Sequence, residues 1–232
     1  MDDTIFDHAL TSESALRALQ RQEPVFRRRS LLEIWREYLR LLEAAHPRVV
    51  AGEISVEESR IARFRSLAGF CGATVGRERA SELAREYRTL YRKLRRPVPG
   101  ARGVLERIHR SASVGVVSNN RVEEQEEKLS FLGLGPFIDF MIISEAAGCA
   151  KPDTRIFELA LERGRASPRD AVMIGDSWEN DVLGARSAGI RAVWFNRFGA
   201  TRPAALDVTE VDSFRRPAEV ERILLAPSSR TP

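Results

Sequence analysis

The sequence predicts an α/β protein: a parallel sheet in a three-layer arrangement, helices on both faces, with an all-helical block inserted near its start. Three observations predict it. Beyond residue 100, short apolar runs rich in β-branched residues alternate with helix-length segments. Between Asp7 and Arg96 the apolar residues recur at helical spacing and no run reads as a strand. A Pro/Gly-rich break, Arg96-Pro97-Val98-Pro99-Gly100, separates the two patterns. Strands that alternate with helices of this length form βα units, whose strands are parallel.

In the first block, Leu31, Trp35, Tyr38 and Leu42 form a helical stripe flanked by Ile34 and Leu41. Ala51-Gly52 separates it from a second helix over Val56–Ala68, and a third runs from Glu78 to Leu94. After the break, Gly103–Arg110 is a short helix and Val114–Val117 a buried strand. Val122–Leu132 is a helix closed by Gly133. Phe140–Ile143 is the next strand. Thr154–Arg163 is a helix capped by Asp153 and ended by Gly164. Ala171–Ile174 is a third strand, Glu179–Ala188 a helix and Ala192–Phe195 a fourth strand. Pro217 opens the last helix, with Val220, Ile223 and Leu224 on its apolar face. The chain therefore divides near Arg96–Gly100 into a helical block and an α/β block.

The 232 residues, 43% apolar and 30% charged, suit a soluble chain with a real core. The N-terminal MDDTIFDHAL has neither the basic nor the apolar region of a signal peptide. No apolar run reaches the ~18 residues of a membrane span. The expected location is cytoplasmic, with no membrane partner. Cys71 and Cys149 have no metal-ligand spacing and read as free thiols; His8, His46 and His109 are scattered. The net charge of +4 is spread as arginines interleaved with glutamates, a solvated pattern, so no nucleic-acid partner is expected. Among 37 basic residues the only lysines are Lys93, Lys128 and Lys151. A lysine kept against such a bias suits a place that wants a compact ammonium.

In open parallel sheets, ligands bind beyond the carboxyl ends of the strands. There the sequence places Ser118-Asn119-Asn120, then Lys151-Pro152-Asp153, then Gly175-Asp176-Ser177, with Asp181 five residues after Asp176. Singly, Ser118 reads as a helix cap, Lys151 as a surface residue and Asp176 as a turn. In order, each after a strand, they bring a hydroxyl, an ammonium and two carboxylates to one edge.

These motifs, with Asp2-Asp3-Thr4-Ile5-Phe6-Asp7 at the front, resemble the haloacid dehalogenase-like superfamily over nearly the whole chain. The resemblance implies a Rossmann-like core, residues 1–7 with 97–232, with an inserted helical cap, residues 8–96, Mg2+ as cofactor, and a small phosphorylated metabolite as substrate. It implies an aspartyl-phosphate intermediate. It assigns Asp2 and Lys151 to catalysis, Ser118, Asn119 and Lys151 to phosphate binding, and Asp2, Asp176 and Asp181 to the metal. The family's first motif has two aspartates one residue apart, the second followed by any residue and then threonine. Counting back from Thr4 makes Asp2 the second aspartate and Met1 the spacer. The nucleophile then falls before Met1, at the end of a short apolar strand expected there. The chain as it stands is expected to be inactive. Two other readings stay open: a phosphate- or metal-binding module without turnover, and a haloacid dehalogenase. The sequence names neither the particular substrate nor the oligomeric state.

Overall fold

The computed structural model describes residues 1–50, 52–203 and 206–227. The chain divides into two compact units, residues 1–7 with 96–232, and residues 8–95.

Every regular element among the second unit's described residues is helical. Its long helices are α1 (His8–Gln22), α2 (Leu31–Val50), α3 (Val56–Phe70) and α4 (Arg77–Lys93). The sequence stripe of α2 faces inward: Ile34 and Tyr38 are buried with Leu16, Leu19, Phe64, Leu67 and Leu83. Helix α3 starts on a capping box in which Ser55 and Glu58 satisfy each other's backbone N–H groups. Helix α1 has a sparse apolar stripe, broken by Thr11, Ser12 and Ser14, and its periodicity is correspondingly weak in the sequence. Ala51 lies outside the described residues; Gly52 follows with φ +71°, which suits the end of a helix.

The first unit alternates helices and strands: α5 (Ala101–Ile108), β1 (Gly115–Ser118), α6 (Val122–Leu132), β2 (Phe140–Ile143), α7 (Ser144–Ala147), α8 (Thr154–Gly164), β3 (Val172–Gly175), α9 (Gly184–Ser187), β4 (Arg191–Phe195), β5 (Thr209–Val211) and α10 (Pro217–Leu225). Gly133 closes α6 at φ 62°, as its position in the sequence predicts. Helix α8 ends differently from expectation. Gly164 is its last residue, and the left-handed position falls on Arg165 at φ 51°. The helix expected over Glu179–Ala188 is a π-helical turn, Trp178–Leu183, running into the short α9. Strand β5 was not predicted; it is only three residues long.

All the strand pairs are parallel, and they fall into two sheets. One is β1 beside β2; the other is β3, β4, β5 in that order. The two share their packing. On one face, Val116 and Met141 of the first sheet join Ile174, Val193 and Phe195 of the second. On the other face, Val117 and Ile142 join Met173, Ala192 and Trp194. The sheets are therefore two parts of one layer, with helices on both sides. Between them lies a cavity of about 650 Å3, bordered by Gly115 and Val117 of β1 and by Val172, Met173 and Ile174 of β3. Among the described residues, neither β1 nor β3 has a ladder partner on its second edge.

Candidate active site

The carboxyl ends of β1 and β3 meet at the N-terminal loop. Met1 carbonyl accepts the N–H groups of Ile5 (3.0 Å) and Phe6 (3.1 Å), which curls residues 1–6 into a tight turn. Asp3 holds a left-handed backbone at φ 50° within it. Aspartate tolerates this conformation better than most residues. The turn sets Thr4 against β3, where its hydroxyl donates to Asp176 Oδ1 at 2.9 Å.

The same turn presents the Asp2 carboxylate to β1 and α6. Lys128 Nζ lies 2.7 Å from Oδ1. Asn120 Nδ2 and Gln125 Nε2 each donate to Oδ2 at 3.1 Å. Gln125 Nε2 also reaches Ser118 Oγ at 2.6 Å, so one amide ties the Asp2 carboxylate to the Ser118 hydroxyl. The Lys128 side chain is only 2% exposed, and it bonds Glu124 as well, at 3.1 Å. Its Nζ stands over the Phe6 ring. Burial works against its charge, but Asp2 and Glu124 outweigh it, and the ammonium pKa is raised.

Lys151 is buried. Its Nζ donates to Val117 carbonyl at 2.9 Å and to Asp181 Oδ1 at 2.6 Å. Asn119 fixes the Lys151 backbone from both sides, donating to its carbonyl and accepting from its N–H, each at 2.8 Å. The π-helical turn after β3 places Asp181. Both Asp181 and Val182 donate to Ser177 carbonyl, at 2.9 and 3.2 Å, and the Ser177 N–H returns a bond to Asp181 Oδ2 at 3.1 Å. Such a widened turn re-aims side chains within a helix and is frequent at functional sites. Gly175 makes room for it: a Cβ there would stand 2.2 Å from Asp181 Oδ2.

Asp176 lies beside Asp181 in a largely buried place. Its carbonyl accepts from Trp194 Nε1 at 2.9 Å. Burial, and then the nearby Asp181 carboxylate, raise the Asp176 pKa.

The structure thus gathers Asp2, Ser118, Asn119, Lys151, Asp176 and Asp181 into one constellation at one end of the sheet. It adds four side chains to which sequence reasoning gave no role in the site: Thr4, Asn120, Gln125 and Lys128. Lys128 carried a signal, as one of three lysines among 37 basic residues. Gln125 carried none, since a glutamine inside a charged helix reads as solvated surface.

Among the described residues, no three His, Cys, Asp or Glu side chains form a metal-ready cluster. The donor set that remains is Asp176, Asp181 and the Asp2 carbonyl. Two crowded carboxylates and a carbonyl are hard oxygen donors, and few of them. That suits magnesium, which keeps several of its waters.

Comparison with known proteins agrees with this geometry. Residues 1–189 match the model of the haloacid dehalogenase-like hydrolases. The chain belongs to that family. It is 36% identical over 114 residues to the pyrimidine 5'-nucleotidase YjjG of Escherichia coli, covering 49% of this chain and 51% of that one. It is 40% identical over 123 residues to a phosphoserine phosphatase of Thermus thermophilus, covering 52% and 48%. The alignments to these curated relatives thus span about half their length. Among solved structures, the magnesium-bound HAD hydrolase YfnB of Bacillus subtilis superposes with a TM-score of 0.77 over 97% of this chain and 95% of that one, at 24% identity. A 2-haloacid dehalogenase of Pseudomonas syringae superposes at 0.61 over 95% and 94%, at 26% identity. The family gives the chain the HAD hydrolase fold, and a nucleotidase, a phosphatase and a dehalogenase are among the proteins it resembles. No helix among the described residues is long and apolar enough to cross a membrane.

Proposed function

We propose that this chain, continued upstream of Met1 by a short apolar strand ending in aspartate, is a cytoplasmic magnesium-dependent phosphatase of a small phosphorylated metabolite. The observation that carries the reading is the convergence of Ser118, Lys151, Asp176 and Asp181 around Asp2 at the strands' carboxyl ends. The cavity between β1 and β3 supports the upstream strand. Its walls are mostly apolar, and among the described residues each strand that borders it has one edge without a ladder partner. Buried backbone groups of that kind are nearly always paired in native proteins. Met1 packs against the apolar cluster that also contains Val104, Leu105, Val172 and Ile174 of the cavity wall.

In this reading the upstream aspartate attacks phosphorus and forms an aspartyl-phosphate, which divides one displacement into two easier ones. Asp2 protonates the leaving oxygen and later takes a proton from the hydrolytic water. Ser118 Oγ and the backbone N–H of Asn119 hold a phosphoryl oxygen. Lys151, oriented by Asp181 and Val117, sets a fixed positive charge at the transferring group. Asp176 and the Asp2 carbonyl would hold magnesium, with Asp181 on its water shell. The ion, when bound, offsets repulsion between an anionic nucleophile and an anionic substrate. Thr4 keeps Asp176 aimed. The helical unit, residues 8–95, is the substrate-selecting cap.

The dehalogenase structure at 26% identity keeps a second reading in play, displacement of halide from a 2-haloacid. The Asp176/Asp181 acid pair argues against it, because halide displacement at carbon has no use for a metal. Phosphate release from a panel of phosphorylated metabolites, with magnesium and then with chelator, separates the two. Phosphate release that chelator abolishes supports the phosphatase. Halide release that survives chelator rejects it.

A further inference from the structure

The helical unit holds a charge for which the proposed chemistry has no use. Arg63 of α3 is 8% exposed. A guanidinium stays protonated wherever it is placed and offers five N–H donors. Here Nη1 donates to Tyr38 Oη at 3.2 Å and Nη2 approaches Ser59 Oγ at 3.5 Å, a weak contact. Nε has no partner. Among the described residues no carboxylate pairs with it. The groups around it are neutral hydroxyls from three helices: Tyr38 of α2, Ser59 of α3 and Tyr87 of α4. Tyr87 Oη is itself buried without a hydrogen-bond partner.

The bland account is cation–π packing, since the guanidinium carbon lies 5.2 Å from the Tyr38 ring centre. That contact offsets part of the charge but satisfies none of the N–H donors. A ring face also does nothing for the Tyr87 hydroxyl. Removing a full charge from water without a counter-charge is costly. Native interiors that leave such groups unmatched commonly do so where an ion or water sits.

We propose that Arg63, with the Tyr38 and Tyr87 hydroxyls, forms an anion site in the helical unit that takes a small oxyanion. The fork of Nε and a terminal nitrogen matches the two oxygens of a carboxylate or phosphate. The tyrosine hydroxyls supply further donors, and since no carboxylate among the described residues pairs with the guanidinium, its charge is left to the ligand. The ligand is either free inorganic phosphate or the carboxylate of an organic acid.

The test follows the Arg63 Nε–H resonance of this chain by NMR, titrated separately with inorganic phosphate and with acetate. Ser118→Ala is run in parallel to discount phosphate held near Ser118. A saturable shift that survives Ser118→Ala is expected with at least one anion, and the stronger responder names the source. Arg63→Lys keeps the charge but loses the fork. Followed by the anion-induced rise in melting temperature, it should weaken binding about tenfold or more. Tyr38→Phe keeps the ring beneath the guanidinium and should weaken binding several-fold, read as a smaller anion-induced rise above the variant's own anion-free melting temperature. If neither anion moves the resonance at tens of millimolar, or Arg63→Lys responds to anions as the parent does, Arg63 is a packing residue and the proposal falls.

Discussion

Replacing Gly175 with alanine tests how tightly the acidic end of the site is built. The added Cβ would lie 2.2 Å from Asp181 Oδ2, 2.4 Å from its Cγ and 2.6 Å from its Cβ. None of these approaches is tolerable, so Asp181 or strand β3 must move. Asp181 is poorly placed to move. Its side chain is 6% exposed, Lys151 Nζ holds one oxygen at 2.6 Å, and the Ser177 N–H holds the other at 3.1 Å. Overpacking alone costs about 1–3 kcal/mol. Breaking a buried ion pair while one partner stays charged costs about 3–5 kcal/mol. Since Asp181 can keep part of its contact with Lys151, a loss of about 3 kcal/mol is expected. Urea unfolding followed by far-UV circular dichroism reads it as a fall in midpoint at constant slope. Asp181→Gly removes the clashing atoms, so it should cost less in the Gly175→Ala background than in the parent. A Gly175→Ala chain within about 0.5 kcal/mol of the parent, the range of a neutral surface substitution, would refute the argument.

Three further outcomes follow from the same contacts. Lys128→Met removes the buried ammonium from the Asp2 carboxylate, and urea unfolding should show a loss of about 2–4 kcal/mol; a loss under about 0.5 would mean the pair is dispensable. Burial raises the Cys71 thiol pKa, so little thiolate exists at neutral pH. Native protein at pH 7.5 should therefore resist iodoacetamide at Cys71, and alkylation should speed up only as pH climbs past the ordinary thiol range; rapid labelling at pH 7.5, located by peptide mapping, would contradict this. Magnesium should raise the melting temperature of the parent by relieving the crowding of Asp176 and Asp181. Asp176→Asn should abolish that rise, and an equal rise in the variant would place the cation elsewhere.

The α/β alternation was legible because β-branched runs such as Val114–Val117 and Ala171–Ile174 stand between helix-length segments with clear stops, as at Gly133. Helix α1 was not, because Thr11, Ser12 and Ser14 break its apolar stripe while its core contacts come from helices distant in sequence. The π-helical turn at Trp178–Leu183 was invisible for a related reason. Its cause is tertiary: Ser177 carbonyl and N–H both serve Asp181, which Lys151 pulls from the other side. In the site, residues just after strands were readable by position alone, because a parallel sheet gathers them at one end. Gln125 and Lys128 were not, since they reach Asp2 from mid-helix, and only the chain's scarcity of lysine marked one of them.

On the proposed function, this constellation hydrolyses phosphate esters once an upstream strand supplies the nucleophile. Magnesium-dependent hydrolysis of an aryl phosphate by two purified chains, this one and the same chain extended through its natural upstream codons, tests it. Turnover is expected from the extended chain alone, lost in chelator and lost when the added aspartate is changed to asparagine. A folded extended chain that does not turn over, or equal turnover by the chain beginning at Met1, would contradict it.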